Sequence, residues 1–353
     1  MSDSRGQVIY VQYLRGVAAM LVVLYHMLVQ EDWLYNPLPP LLFGAGGVDI
    51  FFVISGFVMF VAARHESPGE FWLKRIIRIV PLYWLATLIF LAMRHAHFGE
   101  PGIDGASISK SLFFIPYRVG PPTAPVYPFL VPGWSLNVEM FFYFLFGIGL
   151  MIGRPALFSG LAVVAVVLAG QVFPYHGPAF TLYTKPILLE FSAGLLLGWL
   201  WTGNRLSSRF WPLLVIGATL LLVSDMFGEA TLVVRGIGGV LVMVGAIAAE
   251  GAKWRVRSSL LKALGDASYS IYLVHIPILL IFFAIMKRIP LHGPVQFIIY
   301  LALGLTLCAV GGIVSHHLVE RPLTNALRRF VPRSSRKDPT APISQTAQPT
   351  AST

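Results

Sequence analysis

Among the ionisable residues within long apolar runs of this chain are Arg15, His26, Asp49, Glu139, Glu190, Arg235, His275, His316 and His317. Charge in hydrocarbon is costly, so each is a functional candidate by default. Arg15 and His26 are eleven residues apart. At 100° per residue that is three turns plus about 20°, so both point the same way, about 16 Å apart along a helix. If the first run points outward, His26 lies near its outer end. Asp49 opens the next run, and Glu139 lies about two turns into the run that begins at Gly133, which sets all three at one depth. One imidazole with two carboxylates is what general-base chemistry needs. The imidazole takes a proton, and a carboxylate fixes its tautomer and stabilises the imidazolium. The competing reading is a set of hydrogen bonds that only locks the bundle.

Lys74, Arg75 and Arg78 open the third run. Positions i and i+3 share a helix face, and guanidinium groups beside helix-start N–H donors suit a phosphate. The same residues are also what the positive-inside rule puts at an inner helix end. Ser268, Tyr269, Tyr272 and His275 recur at helical spacing early in the ninth run, and His316, His317 and Glu320 close the tenth. Both groups are read as lying near the inner face, as core hydrogen bonds or as a ligand site. No H-E-x-x-H or close His/Asp pair has metal-ligand spacing, so no metal is expected. No G-x-x-x-x-G-K-[ST] or G-x-S-x-G occurs either. Gly44, Gly46, Gly47 and Gly56 point to close helix contacts.

Helices in a membrane must position these groups. Of the 353 residues 56% are hydrophobic and only 12% charged, against about 25% charged in soluble domains. With 25 Phe, 13 Tyr, 8 Trp and a mean hydropathy of +0.73, the chain has more apolar surface than one globular core hides. Soluble, disordered and fibrous classes are excluded. The expected fold is all-α, a polytopic membrane bundle of about ten transmembrane helices, since a span needs about 20 apolar residues. The ten runs are Val8–Val29, Gly46–Ala63, Ile76–Met93, Gly133–Ile152, Pro155–Phe173, Leu182–Trp201, Trp211–Phe227, Thr231–Ala249, Ser268–Met286 and Val295–Leu318.

The first run is too long, and too polar at its start, for a signal peptide. Lys and Arg favour the loops on the N-terminal side by three to one, which predicts both termini inside. The net charge of +10 is thereby explained as topology, with no nucleic-acid partner. The single Cys308 rules out an intrachain disulfide. Residues 1–333 read as one membrane domain and 334–353, rich in Pro, Thr, Ser, Ala and Gln, as a disordered cytoplasmic tail. From His95 to Pro132 runs a Gly/Pro-rich outer loop whose apolar patch Leu112–Ile115 suggests a dip into the membrane or a lid.

Tyr13-Leu14-Arg15-Gly16 followed by Leu24-Tyr25-His26 resembles the R-x10-H signature of the family-3 membrane acyltransferases. Gly47-Val48-Asp49-Ile50-Phe51-Phe52-Val53-Ile54-Ser55-Gly56-Phe57 is similar to that family's second-span motif. Arg75-Ile76-Ile77-Arg78 before Pro81-Leu82-Tyr83-Trp84 resembles its R-x-x-R element, and Trp134-Ser135-Leu136-Asn137-Val138-Glu139 its W-S-L-x-x-E motif. Ser268-Tyr269-Ser270-Ile271-Tyr272-Leu273-Val274-His275 and Glu320-Arg321-Pro322 resemble its late motifs. The six come in family order.

The resemblance implies an acyl-CoA-dependent O-acyltransferase of the bacterial inner membrane. It would move an acyl group, acetyl first, to a polysaccharide or lipid-linked oligosaccharide, as exopolysaccharide and Nod-factor O-acetyltransferases do. No cofactor is bound; acetyl-CoA is a co-substrate. On this reading His26, oriented by Glu139 or Asp49, deprotonates a sugar hydroxyl or carries the acetyl group itself. Arg15, Arg75, Arg78, Tyr272 and His275 serve acyl-CoA, while Trp134, Ser135 and Tyr143 line the acceptor side. Two rivals stand beside it. A secondary transporter of a small anion or lipid-linked glycan also accommodates buried His and carboxylates, and a non-catalytic scaffold of an export complex predicts that motif residues are dispensable.

Overall fold

A computed structural model describes residues 8–29, 33–37, 43–98, 104–121, 123–173, 175, 177–252, 254 and 256–330. Among them there are helices and turns and no strand. The helices are α1 (Ile9–Leu28), α2 (Gly46–Val58), α3 (Pro68–Phe98), α4 (Gly105–Leu112), α5 (Gly133–Ile152), α6 (Pro155–Val172), α7 (Pro178–Tyr183), α8 (Leu189–Thr202), α9 (Leu213–Val223), α10 (Thr231–Gly251), α11 (Ser259–Asp266), α12 (Ser268–Met286), α13 (Gly293–Ser315) and α14 (Arg321–Arg328). The chain is an all-α polytopic membrane bundle. Eight helical runs among the described residues are long and apolar enough to cross a bilayer.

The count of ten stays an expectation, and the differences have local causes. The run Leu182–Trp201 is broken: α7 ends at Tyr183, a tight turn covers Pro186–Leu188, and α8 begins at Leu189. Pro186 has no N–H to donate and ends α-helical pairing there. Residues 208–251 form one run by helical bonding, yet Gly228 (φ 54°, ψ −120°) bends it sharply. α9 then lies back on α10, so that a Cβ on Gly217 would fall 2.6 Å from the Val242 nitrogen and one on Gly245 2.1 Å from the Leu214 nitrogen. The expected tail, 334–353, lies outside the described residues.

α1 and α2 form the centre, surrounded by α8, α10, α11, α12 and α13. The first N–H groups of α1 have no partner within their own helix. The Glu250 carboxylate, at the far end of α10, accepts from the Ile9 and Tyr10 nitrogens at 3.1 and 3.0 Å. α5 stops at Gly153, which takes the left-handed conformation (φ 79°) that closes a helix, and Pro155 opens α6. Within the long loop the Ser111 and Leu112 carbonyls, at the end of α4, accept from the Tyr83 hydroxyl (3.0 Å) and the Trp84 indole (2.8 Å). The apolar patch is therefore pinned to α3.

One contact fixes relative depth. A Cβ on Gly16 would fall 2.8 Å from the Gly265 nitrogen, and one on Gly265 2.1 Å from the Gln12 carbonyl oxygen. Two glycines facing each other let α11 lie directly on α1, backbone to backbone. α11 thus occupies the level of Gln12 to Gly16, and α12 begins above it.

Candidate active site

A cavity of about 80 Å³ sits where α1, α2, α3, α5 and α12 converge. Its polar lining is Arg15 from α1, Ser55 from α2, Arg78 from α3, Ser135, Glu139 and Tyr143 from α5, and Tyr269 and Tyr272 from α12. Two guanidinium groups against one carboxylate give the lining an excess of positive charge. Glu139 accepts hydrogen bonds from the Ser55 hydroxyl at 2.7 Å and from the Tyr143 hydroxyl. The Tyr269 hydroxyl donates to the Ile79 carbonyl at 2.7 Å, which ties α12 to α3 beside Arg78. At the other end Ser135, Tyr272 and the Pro132 carbonyl form a triangle with edges of 2.6, 3.0 and 3.1 Å. This holds the first turn of α5 against α12.

The three groups that the spacing set at one depth occupy three separate environments. His26 lies beside His275, with ring centroids 4.9 Å apart, and its Nδ1 lies 2.9 Å from the Val22 carbonyl oxygen and 3.3 Å from the His275 Nε2. Asp49 faces Arg235 on α10, at 3.4 Å from its Nε, with the Glu190 carboxyl of α8 alongside. The helical period explains this. α2 packs on α1 through Gly47, whose Cβ would fall 2.3 Å from the Ala18 carbonyl oxygen, and a residue two positions on points about 200° round the helix. Asp49 therefore points away from α1. Glu139 meets Ser55, about 9 Å along α2 from Asp49, and shares the cavity with Arg15. Neither carboxylate orients His26 in this structure.

Other candidates also part company. Arg78 lines the cavity, whereas Arg75 is buried under it, 3.8 Å from Glu66 and over the rings of Phe71 and Tyr143 at 5.2 and 5.9 Å. Lys74 pairs with Glu66 and Glu70 at 2.8 and 2.6 Å. Tyr143 lies about 13 Å along α5 from Trp134, on the Arg75 side and away from Ser135. Trp134 stands beside the cavity, edge-on to Phe52 at 6.3 Å, with the Lys185 ammonium 5.6 Å over its ring.

His275 is not near the level of His316 and Glu320. α11 raises the start of α12, so His275 reaches His26, while Ser270, one turn lower, donates to Glu320 at 2.6 Å and His316 lies 3.0 Å from the same carboxylate. Sequence reasoning named Tyr269 as core or ligand site, and it lines the cavity; it missed Ser55 as lining and the pairing of Asp49 with Arg235. A lone Arg in an apolar run signals that some buried acid must meet it. Among the described residues no three of His, Cys, Asp and Glu stand close enough to hold a metal ion.

The sequence profile described as the acyltransferase domain of family 3 matches residues 8–312. The chain is 37% identical over 296 residues to the exopolysaccharide production protein ExoZ of Rhizobium meliloti, covering 79% of this chain and 89% of that one. It is 26% identical to the acyltransferase MdmB of Streptomyces mycarofaciens over 84% of this chain and 85% of the relative. With the O-acetyltransferase OatA of Staphylococcus aureus identity is 23%, over 88% of this chain and 56% of the relative. No solved structure matches.

Proposed function

This chain belongs to acyltransferase family 3, and from that premise we propose that it moves an acyl group, acetyl in the first place, from acyl-CoA to a hydroxyl of an exopolysaccharide or other envelope glycan. Its class is that of a multi-pass membrane O-acyltransferase. Its proposed home is the bacterial inner membrane, with both termini cytoplasmic, because Lys and Arg favour the loops on the N-terminal side of the spans. The glycan acceptor is carried over from the name of the exopolysaccharide relative.

The observation that supports this reading most is the positively lined cavity that Arg15 and Arg78 share with Ser135 and Tyr272. Its volume of about 80 Å³ admits several waters or a narrow thioester arm, given the 10–15 Å³ one water needs. The anionic head of acyl-CoA accordingly stays at the basic end, near Lys74 and Arg78, and the pantetheine arm enters the cavity between Arg15 and Arg78. The thioester then lies toward His26, one residue layer beyond Tyr272. His26 takes the proton of the acceptor hydroxyl as its oxygen forms the bond to the acyl carbon. The C–S bond breaks, and the CoA thiolate recovers a proton. Transfer through an acyl-His26 intermediate uses the same groups in two steps.

The test is transfer of labelled acetyl from acetyl-CoA to membrane glycolipid or polysaccharide by reconstituted protein. Wild type should label the glycan, and His26→Ala should not at equal folded amounts. Arg78→Ala should raise the apparent KM for acetyl-CoA by about 10-fold or more, the size of one hydrogen bond to a charged group. Undiminished labelling by His26→Ala would remove the base, and an unchanged KM in Arg78→Ala would remove the donor path.

A further inference from the structure

His275 is fully buried on α12, and its Nε2 lies 3.3 Å from Nδ1 of His26. The tautomers of both rings follow from their carbonyl partners. The Nδ1 of His26 is 2.9 Å from the Val22 carbonyl oxygen, and the Nδ1 of His275 is 3.3 Å from that of Ile271. A carbonyl oxygen only accepts, so each Nδ1 carries the hydrogen when its ring is neutral. The Nε2 of His275 is then a bare acceptor, and it faces the Nδ1–H of His26. That hydrogen is shared between Val22 and His275, which leaves the lone pair on Nε2 of His26. Among the described residues no hydrogen-bond partner meets that nitrogen.

The geometry points to His275 as the residue that positions His26 for proton abstraction, in the place where a carboxylate was expected. This inference rests on His26 being the base. When Nε2 of His26 takes the hydroxyl proton, the ring becomes an imidazolium, and its Nδ1–H bond to His275 becomes charge-assisted and strengthens. The proton stays on His26. Transfer of the Nδ1 hydrogen to His275 would leave a bare nitrogen lone pair against the Val22 carbonyl oxygen, two acceptors at 2.9 Å. His275 therefore orients and stabilises without itself titrating in the cycle. A neutral imidazole also spares the membrane interior the fixed negative charge that a carboxylate would bring.

The experiment compares His275→Phe, His275→Gln and His26→Ala in acetyl transfer by the reconstituted full chain. Gln carries an amide oxygen at about the reach of Nε2 and can accept from His26; Phe fills the space and cannot. His275→Phe should lower kcat about 10- to 100-fold, the size of one hydrogen bond to a charged group. The KM for acetyl-CoA should not change, and His275→Gln should recover most of the rate. A raised KM with kcat retained would assign His275 to acyl-CoA binding and overturn the inference, as would a His275→Phe enzyme with wild-type kcat. If His26→Ala itself keeps transfer, the underlying base assignment fails, a different outcome. A spectrum of the unmodified protein guards against variants that misfold. In ¹⁵N NMR of histidine-labelled wild type, with His26 assigned by its loss in His26→Asn, Nδ1 should be protonated and Nε2 bare. The opposite tautomer overturns the inference.

Discussion

Replacing Arg235 by Met should destabilise this protein far more than the size of the change suggests. Arg235 Nε stands 3.4 Å from Asp49, and their side chains are 10% and 1% exposed. The Glu190 carboxyl, also buried, lies beside them. Removing one partner of a buried ion pair costs about 3–5 kcal/mol, because the survivor's desolvation stays unmet. Here the surviving Asp49 carboxylate is left with only the Glu190 carboxyl beside it, so Arg235→Met should fall at the upper end of that range. Neutralising them as well, in Asp49→Asn with Glu190→Gln and Arg235→Met, should recover most of the loss, since replacing a whole buried ion cluster is often close to neutral. Unfolding free energies from an SDS titration in mixed micelles, followed by tryptophan fluorescence, would measure both variants. The cluster also bears on chemistry. Asp49 faces α10 and not His26, so Asp49→Asn should keep acetyl transfer within a few-fold under conditions where it is folded. A loss of less than about 1 kcal/mol in Arg235→Met would refute the ion-pair argument. A folded but inactive Asp49→Asn would refute the placement of Asp49 outside the catalytic chemistry.

Gly16→Val should push α11 off α1, because its Cβ would fall 2.8 Å from the Gly265 nitrogen; a stability loss of about 1–3 kcal/mol with a lowered kcat, read by the same titration and transfer assay, is expected. Tyr272→Phe and Ser135→Ala should each cost about 1 kcal/mol, and the double variant should show at least about 0.5 kcal/mol of coupling, because their hydroxyls share one hydrogen bond at 2.6 Å. Lys74→Ala should change stability by no more than about 1 kcal/mol, since its half-buried ammonium pairs with Glu66 and Glu70 near the surface, and a larger loss would show that these pairs act as a unit with Arg75.

How much of this was legible depends on which dimension is asked about. The spans at Gly133–Ile152 and Ser268–Met286 have the ends that the apolar pattern predicts, because Gly133 and Gly153 flank one run and the charged Asp266 and Lys287 flank the other. The helical period correctly sets residues on a face within one helix. It is silent on the height of one helix against another, which decides who meets whom. Counting residues from the start of its own helix sets His275 level with His316. The Gly16–Gly265 contact, invisible to periodicity, lifts that helix until His275 reaches His26. Asp49 went astray for the complementary reason. The spacing gives its depth, but the face that α2 turns to α1 is set by Gly47. The motifs converge nonetheless: five of the six stretches contribute to the cavity or the His pair, and the sixth, through Glu320, braces Ser270.

The separation between guanidinium groups and base has an electrostatic logic of its own. The proposed donor is a polyanion, so the site needs fixed cations, yet a cation beside His26 opposes the imidazolium that base catalysis forms. At an effective dielectric of about 20, a guanidinium 4 Å from the ring would oppose that charge by about 4 kcal/mol, against about 1 kcal/mol at 16 Å. The eleven-residue spacing of Arg15 and His26 corresponds to the larger distance, about 16 Å along α1. Between them Tyr272 is pinned through its hydroxyl to Ser135 and the Pro132 carbonyl, with its ring 6.1 Å from His275 and 5.8 Å from Phe51. One side of this aromatic layer is a cavity that favours anions, and the other holds two imidazoles with no cation among their contacts with the described residues. A shorter spacing would hold the donor equally well and would slow the proton transfer by the difference, about 3 kcal/mol or roughly two orders of magnitude in rate.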